Sequence, residues 1–270
     1  MGELQHEAFQ FAFNGFLKVA FQGSRVTSDA GLLLVRELDE RLGLEALISE
    51  HLNDSRQGLN TQFSLADLLR QSVYSRLAGY EDLNDAVRVS ADPTFRLIGS
   101  PKRWDRGAAL TSTLHWFETD LLTRGENLLG LMAVNRELLA QAGMPTRAGR
   151  IVLDMDSSES PVHGAQEGSA YNGHFESVCY HPLFLFTEHG DCLAATLRPG
   201  NVHSADDWDD LLLPEIDRQQ AAGTRVAFRA DAAFAKPEIY EALDQRDVDY
   251  AIRMPSNKNL ELEIEDILFR

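Results

Sequence analysis

The sequence contains only two cysteines, Cys179 and Cys192, among its 270 residues. So few cysteines provide no disulfide framework and are typical of a protein in a reducing compartment. The sequence also lacks an apolar run long enough to span a bilayer. Residues 1–7, MGELQHE, have neither the basic start nor the apolar stretch of a signal peptide. We therefore expect a cytoplasmic protein without a membrane partner.

Positive charge is also scarce, with 25 Lys and Arg against 42 Asp and Glu and a net charge of −17. This balance argues against a nucleic-acid partner, because proteins that bind DNA usually present Lys and Arg to phosphate. The deficit is uneven, however: residues 1–150 contain 16 basic and 19 acidic residues, whereas residues 151–270 contain 9 and 23. The first half can therefore carry a basic face. The second half has acidic positions that suit metal ions, although most of them are expected on a solvated surface.

Several common catalytic motifs are missing. There is no GxxxxGK[ST] loop for phosphate and no GxSxG nucleophile elbow. The spacing of His163, His174 and His181 matches no usual zinc pattern, so we expect these histidines to make hydrogen bonds in loops. Cys179 lies in an apolar segment and is expected to be buried rather than nucleophilic.

The first half of the chain is predicted to be mainly helical. Alternating phenylalanines around Asn14-Gly15 indicate a short hairpin or an extended arm. Leucines at helical spacing predict helices over residues 32–42 and 65–77, and residues 108–142 also look helical. Thr27-Ser28-Asp29 offers N-cap oxygens for the first of these helices, Ser64 is an expected N-cap of the second, and Gly43 and Gly79 are expected helix ends. We expect residues 1–148 to form one domain for DNA binding or dimerisation. Its exposed arginines Arg70, Arg76 and Arg88 could reach phosphate, although exposed arginines on helices usually contact only water.

The pattern changes to α/β after Arg150. The predicted strands cover residues 151–153, 178–186, 192–197, 226–228 and 250–252. Helices are predicted from Trp208 to Ile216, with a kink or restart at Pro214, and over residues 237–246. The order is β-β-β-α-β-α-β, and we place this second domain at residues 149–270.

Two aspartates follow two of these strands. Asp156 closes the strand that begins at Ile151, and Asp231 follows the strand at Val226. Ligands collect outside the carboxyl ends of strands in α/β sheets, so adjacent strands would bring both carboxylates together. Carboxylate oxygens suit Mg²⁺ or Mn²⁺, and two such ions can support phosphodiester cleavage. Asp154 competes for the first position, but Asp156 is preferred because it lies at the strand end. An Asp after a strand can also simply form a turn.

Several segments in order resemble one family. Residues 153–168, LDMDSSESPVHGAQEG, resemble the first-aspartate segment of DDE transposases, in particular the IS-thirteen-eighty family of insertion sequences. Residues 229–234, RADAAF, are similar to its second-aspartate segment, and residues 197–201, LRPGN, to the exit of its third strand. Residues 26–34 and 79–85 resemble its helical leader, and residues 110–118 resemble the segment before its core. The likeness covers nearly the whole chain.

This resemblance implies an RNase H-like catalytic core in which Asp156 and Asp231 are catalytic acids that bind two Mg²⁺ or Mn²⁺ ions. It implies hydrolytic nicking at transposon ends and attack of the freed 3′-hydroxyl on target DNA. The expected partners are the terminal inverted repeats, target DNA and further copies of the chain. The family's third acid is a Glu on a later helix. Since Glu261, Glu263 and Glu265 lie too close to the last strand, we expect this Glu to be absent and the chain to be a truncated copy.

Two other interpretations stay open at this point. One is a different metal-dependent nuclease on the same fold, with Glu176 or Asp249 as its third acid. The other is an inactive remnant that binds transposon ends or pairs with intact transposase as an inhibitor.

Overall fold

The computed structural model describes residues 9–19, 29–57, 61–100, 107–143, 149–255 and 257–268. The chain divides into a helical unit, residues 1–143, and a sheet unit, residues 144–270. None of the helices in the described ranges combines the length and the apolar character needed to cross a membrane.

The helical unit begins with a hairpin and continues with seven α-helices in its described part. Its elements are β1 (Phe9–Gln10), β2 (Lys18–Val19), α1 (Leu32–Arg41), α2 (Leu44–His51), α3 (Leu65–Leu77), α4 (Ala86–Ala91), α5 (Pro93–Ile98), α6 (Thr111–Trp116) and α7 (Gly125–Gln141). A π-helical turn, Phe117–Leu121, continues α6. The predicted hairpin is confirmed, with Phe9 opposite Val19 in an antiparallel pair.

The predicted helix ends in this unit are largely confirmed. Gly43 adopts φ +63° between α1 and α2, a left-handed conformation that favours glycine. Ser64 caps α3, because its hydroxyl accepts a hydrogen bond from the Asp67 amide at 3.0 Å. Thr27 and Ser28, which were expected to cap α1, lie outside the described residues.

The leucine pattern predicted the buried faces only in part. Leu68 is fully buried, but Leu77, further along the same helix, is 62% exposed. On α1, Leu34 is 61% exposed while Arg36 and Asp39 are buried. The reason is that α1 and α3 contact each other through hydrogen-bonded polar side chains. Charged residues are therefore buried between these helices, where the helical spacing of leucines predicts an apolar contact.

Asp39 is the centre of this network. It accepts hydrogen bonds from Arg70 Nε at 2.7 Å, from Arg70 Nη2 at 3.0 Å and from the Tyr74 hydroxyl at 2.6 Å. Burial opposes the charge of Arg70, but the hydrogen bonds to Asp39 and Glu45 outweigh it and raise the pKa of Arg70. The expectation that Arg70 is exposed and can reach phosphate is therefore wrong, since its side chain is 1% exposed.

The two other arginines in that expectation also have partners. Arg76 Nη2 lies 2.9 Å from Glu118 Oε2, and Arg88 lies over the ring of Tyr80 at 5.7 Å from its centroid. Both residues are on the surface, unlike Arg70.

We predict that Arg70→Met destabilises the protein by about 3–5 kcal/mol, because it leaves the Asp39 carboxylate buried without its cation. Arg88→Met is the matched control, since Arg88 is an exposed arginine of the same unit and should cost about 1 kcal/mol or less. Chemical denaturation followed by circular dichroism measures both. Equal losses in the two variants would contradict the central role of Asp39.

The sheet unit contains a five-stranded mixed sheet and a smaller three-stranded sheet. Its elements are β3 (Arg150–Ser157), β4 (Ser160–Pro161), β5 (Ala170–Asn172), β6 (Ser177–Tyr180), β7 (Leu183–Thr187), β8 (Cys192–Thr196), α8 (Trp208–Ala221), β9 (Arg225–Ala230), α9 (Pro237–Asp244), β10 (Asp249–Ile252) and α10 (Lys258–Leu268). The large sheet has the order β10-β9-β3-β7-β8 and the small one β4-β6-β5. The mixed α/β architecture is compatible with an RNase H-like fold.

The large sheet buries one face of β3 and β9. Ile151, Leu153 and Met155 alternate with more exposed residues, as expected for a strand with one buried face. Leu212 and Ile216 of α8 are fully buried, and this helix packs on β7, β8 and β9. It continues through Pro214 as one helix, so the predicted restart is absent.

The single strand predicted over residues 178–186 is wrong, because the chain forms two strands there. β6 pairs with β4 and β5, whereas β7 pairs with β3 and β8. Pro182 separates them and has no N–H to donate to a strand ladder. The apolar run is continuous because both strands bury side chains, in two different sheets. The segment between β3 and this run contains two further short strands, β4 and β5.

At Gly200, the backbone that follows β8 of the large sheet passes close to β5 and β6 of the small sheet. A Cβ at this position would lie 2.4 Å from the Ala170 carbonyl oxygen and 2.5 Å from that of Cys179. The absence of a side chain at Gly200 therefore lets the chain after β8 pass directly against β5 and β6.

We predict that Gly200→Ala destabilises the protein by about 1–3 kcal/mol, because the backbone must shift to admit the methyl group. Gly173→Ala is the control, in the turn between β5 and β6, since a Cβ there meets nothing within 4 Å. Thermal unfolding compares the two variants, and a Gly200→Ala protein as stable as Gly173→Ala would contradict the close approach.

Candidate active site

The two predicted acids lie at the same edge of the large sheet. β3 and β9 are parallel neighbours, with Met155 opposite Ala230 in the register. Asp156 is the next residue of β3, and Asp231 is the first residue after β9; the two strands lie about 4.8 Å apart. Because side chains alternate along a strand, Asp156 is on the face of β3 opposite the buried Leu153 and Met155. The structure therefore places the two aspartates at the carboxyl ends of adjacent parallel strands.

Both carboxylates are exposed and are held by backbone amides. Asp156 Oδ1 accepts a hydrogen bond from the Ser157 amide at 2.8 Å, and Asp231 Oδ1 accepts one from the Ala233 amide at 3.0 Å. Asp231 thereby caps a short 3₁₀ turn, Ala232–Phe234. Neither residue forms an ion pair with the described part of the chain. These oxygens are accessible to a cation.

Asp154 has a different environment, although it lies on the same face of β3. It sits opposite Arg229 in the register, and its two oxygens accept hydrogen bonds from Arg229 Nε at 2.7 Å and Nη2 at 2.6 Å. The hydrogen bonds and charge of Asp154 raise the pKa of Arg229. The charge of the Asp154 carboxylate is therefore neutralised by Arg229 of β9, whereas the Asp156 carboxylate has no such partner in the described ranges.

No third ligand joins this pair among the described residues. In the described ranges, neither Asp156 nor Asp231 belongs to a group of three His, Cys, Asp or Glu residues whose ligand atoms all lie within 4.8 Å of one another. Asp249 of β10 is opposite Ala227 of β9, four residues before Asp231. This separation is about 13 Å along the strand, so Asp249 lies at the opposite ends of the strands from Asp231. Glu176 is in the turn between β5 and β6 with φ +54°.

A compact ligand group does occur in the helical unit, but it is not the predicted site. Glu50 and His51 of α2 and Glu137 of α7 have ligand atoms within 4.8 Å of one another. His51 Nε2 already lies 2.8 Å from Glu137 Oε1 in a hydrogen bond. This hydrogen bond accounts for the closeness of His51 and Glu137 without a metal ion.

A cavity of about 630 Å³ adjoins Asp231. It is lined by residues 171–175 of the small sheet, by His181, by residues 201–204 after β8, and by Asp231 and Ala233. The cavity therefore lies beyond the carboxyl end of β9, where ligands bind in α/β sheets. Because its wall comes from segments that are far apart in the sequence, no sequence motif predicted the cavity.

His181 connects this cavity to the end of β3. Its side chain is buried, with Nδ1 at 3.2 Å from the Val202 carbonyl oxygen and Nε2 at 3.0 Å from the Ser157 hydroxyl. A carbonyl oxygen can only accept, so Nδ1 carries a hydrogen and the Ser157 hydroxyl donates to Nε2 in the neutral ring. His181 thus holds Ser157, the residue after Asp156. For His181, this agrees with the expectation of a histidine that makes hydrogen bonds.

Arg198 fixes the loop that forms one wall of the cavity. Its buried guanidinium donates to the carbonyl oxygens of His181 at 2.9 Å, Ser204 at 3.2 Å and His203 at 3.4 Å, and also to that of Asp206. Burial lowers the pKa of Arg198, and the charges of Asp206 and Asp207 partly offset this effect. The residue is a structural support, and the sequence placed it only within the LRPGN segment.

Comparison with known proteins identifies the family. The family described as Transposase DDE domain group 1 matches residues 9–269. The chain therefore belongs to this family of DDE transposases, whose members act on DNA in recombination and generally use divalent metal ions. A search of curated proteins gave no match.

We predict that Arg198→Met loosens the loop over residues 201–206, because four carbonyl oxygens lose their shared donor. Hydrogen exchange measured by mass spectrometry should become at least about tenfold faster in that loop, a change of about 1.4 kcal/mol in local opening. Arg253→Met, at an exposed position, is the control. Unchanged exchange in the Arg198 variant would contradict its supporting role.

Proposed function

We propose that this chain is an insertion-sequence transposase in which Asp156 and Asp231 are catalytic acids and metal ligands. The observation that supports the proposal is the parallel register of β3 and β9, in which Asp156 and Asp231 directly follow the paired residues Met155 and Ala230. Family membership supplies the substrate class, DNA. The motif segments at residues 153–168 and 229–234 support assignment to the IS-thirteen-eighty branch.

The residues at this edge fit a divalent ion. Carboxylate oxygens are hard ligands of the kind that Mg²⁺ and Mn²⁺ prefer, and both side chains are exposed without a competing cation. When bound, two such ions would activate a water and neutralise charge on the phosphate. The ion pair between Asp154 and Arg229 supports Asp156 as the first acid, because the oxygens of Asp154 are already engaged.

The reaction we propose has two steps. In the first, a water oxygen attacks the phosphorus at the transposon end and the P–O3′ bond breaks, leaving a 3′-hydroxyl and a 5′-phosphate after proton transfer. In the second, this 3′-hydroxyl loses its proton and attacks a phosphodiester of the target, releasing a target 3′-hydroxyl. Phosphoryl transfer depends mainly on positioning and charge neutralisation, so it needs no protein nucleophile.

The two parts of the chain would divide this work. We assign the catalytic core to residues 149–270. Residues 1–148 would bind DNA or mediate self-association on it. Arg76 and Arg88 of that part are exposed.

A second candidate function is DNA-end binding without cleavage. It is favoured by one observation: among the described residues no third carboxylate joins Asp156 and Asp231. DDE chemistry uses three acids, and fewer ligands hold metal more weakly. Such a chain would bind transposon ends or intact transposase and inhibit transposition.

We predict that Asp156→Asn and Asp231→Asn each lower Mg²⁺-dependent cleavage on the order of 100-fold or more, because several kcal/mol of metal-derived stabilisation are lost. The assay uses the full chain and a plasmid that carries the ends of its own element. Asp154→Asn is the matched control on the same strand and should retain activity.

The outcomes separate the alternatives. Loss in Asp154→Asn with activity retained in Asp156→Asn would show that the first acid was wrongly chosen. Binding of the ends without cleavage by the unaltered chain would favour the inhibitor function.

A further inference from the structure

The cavity next to Asp231 differs in charge from the unit that contains it. Residues 151–270 have 23 acidic and 9 basic residues, so most of this surface repels phosphate. Of the twelve described residues that line the cavity, Asp231 alone is acidic, and three are histidines. An anionic strand therefore meets a single carboxylate in this lining.

Two of these histidines are exposed to the cavity. His203 Nδ1 accepts a hydrogen bond from the Ala205 amide at 3.1 Å, so the hydrogen of the neutral ring is on Nε2. His174 lies in the turn after β5, with its ring packed edge-on against Phe175 at 5.1 Å. Each imidazole can therefore present an N–H donor, the group that phosphate oxygens accept in protein–DNA contacts.

The walls of the cavity are fixed before any ligand binds. Asn172 is buried; its amide donates to the Gly200 carbonyl oxygen at 2.6 Å, and its Oδ1 accepts from the His174 amide at 2.8 Å. Arg198 holds the carbonyl oxygen of His203 on the other side. Both exposed histidines are thus attached to buried polar anchors, which lowers the entropic cost of binding.

We propose that this cavity binds the DNA strand next to the phosphate that is cut, with His174 and His203 donating hydrogen bonds to its phosphodiester oxygens. The inference rests on the proposed function, because Asp231 lines the same cavity and places its contents beside the reacting phosphate. A volume of about 630 Å³ lies within the range of about 300–1,000 Å³ typical of ligand clefts. His174 and His203 are positioning residues in this assignment.

The test measures DNA binding by the full chain, with Ca²⁺ in place of Mg²⁺ so that the strand stays uncut. The probe is a fluorescein-labelled single-stranded 20-nucleotide DNA of mixed sequence, followed by anisotropy. H174A/H203A should weaken binding about tenfold or more, because two hydrogen bonds to a charged group are lost. The matched control is H163A/H189A, which removes two exposed histidines of the same unit outside the cavity.

A second measurement does not depend on the variants. In ¹⁵N-histidine NMR spectra of the unaltered chain, the imidazole signals of His174 and His203 should shift as the DNA is added, and those of His163 and His189 should not. Unmoved signals, or equal affinities of H174A/H203A and the control, would overturn the proposal.

Failure of this inference can be told apart from failure of the proposed function. If Asp156→Asn and Asp231→Asn abolish cleavage while H174A/H203A binds DNA normally, the aspartates are catalytic and the cavity assignment is wrong. If the aspartate variants still cleave, the proposed function is wrong, whatever the histidines do.

Discussion

The parallel pairing of β3 with β9 determines where the chemistry of the sheet unit can occur. Met155 lies opposite Ala230, and an aspartate follows each of them, Asp156 near the end of β3 and Asp231 just after β9. The same pairing puts Arg229 opposite Asp154, so that one acid is neutralised and the next is left accessible. A shift of one residue in this register would turn the paired side chains to opposite faces. The site therefore depends on the register more than on any single side chain.

Local patterns in the sequence predicted elements well but not their partners. The alternation of Ile151, Leu153 and Met155 indicates a strand with one buried face, and Ser64 and Gly43 mark helix ends by their own chemistry. The division of residues 178–186 into two strands was missed, because burial in either sheet selects the same apolar residues. Likewise, the exposure of Leu34 and the burial of Asp39 follow from tertiary packing that helical spacing does not encode.

The sequence allowed the two acidic residues of the candidate site to be predicted, but not the residues that surround them. Asp156 and Asp231 each follow a recognisable strand, so strand-end chemistry suggested them directly. The cavity beside Asp231 is built from segments after β5, β6, β8 and β9, which only the folded chain brings together. Arg198 and Gly200 make this assembly possible, one through hydrogen bonds to carbonyl oxygens and the other through the absence of a side chain.

The central claim is that Asp156 and Asp231 jointly hold a divalent metal ion. Anomalous diffraction from crystals soaked in Mn²⁺ tests it most directly, because the method locates the ion without any assay of activity. The account predicts an anomalous peak within about 2–2.5 Å of carboxylate oxygens from both aspartates. Mn²⁺ bound only elsewhere, for example at Glu50, His51 and Glu137 of the helical unit, with none at the ends of β3 and β9, would contradict it.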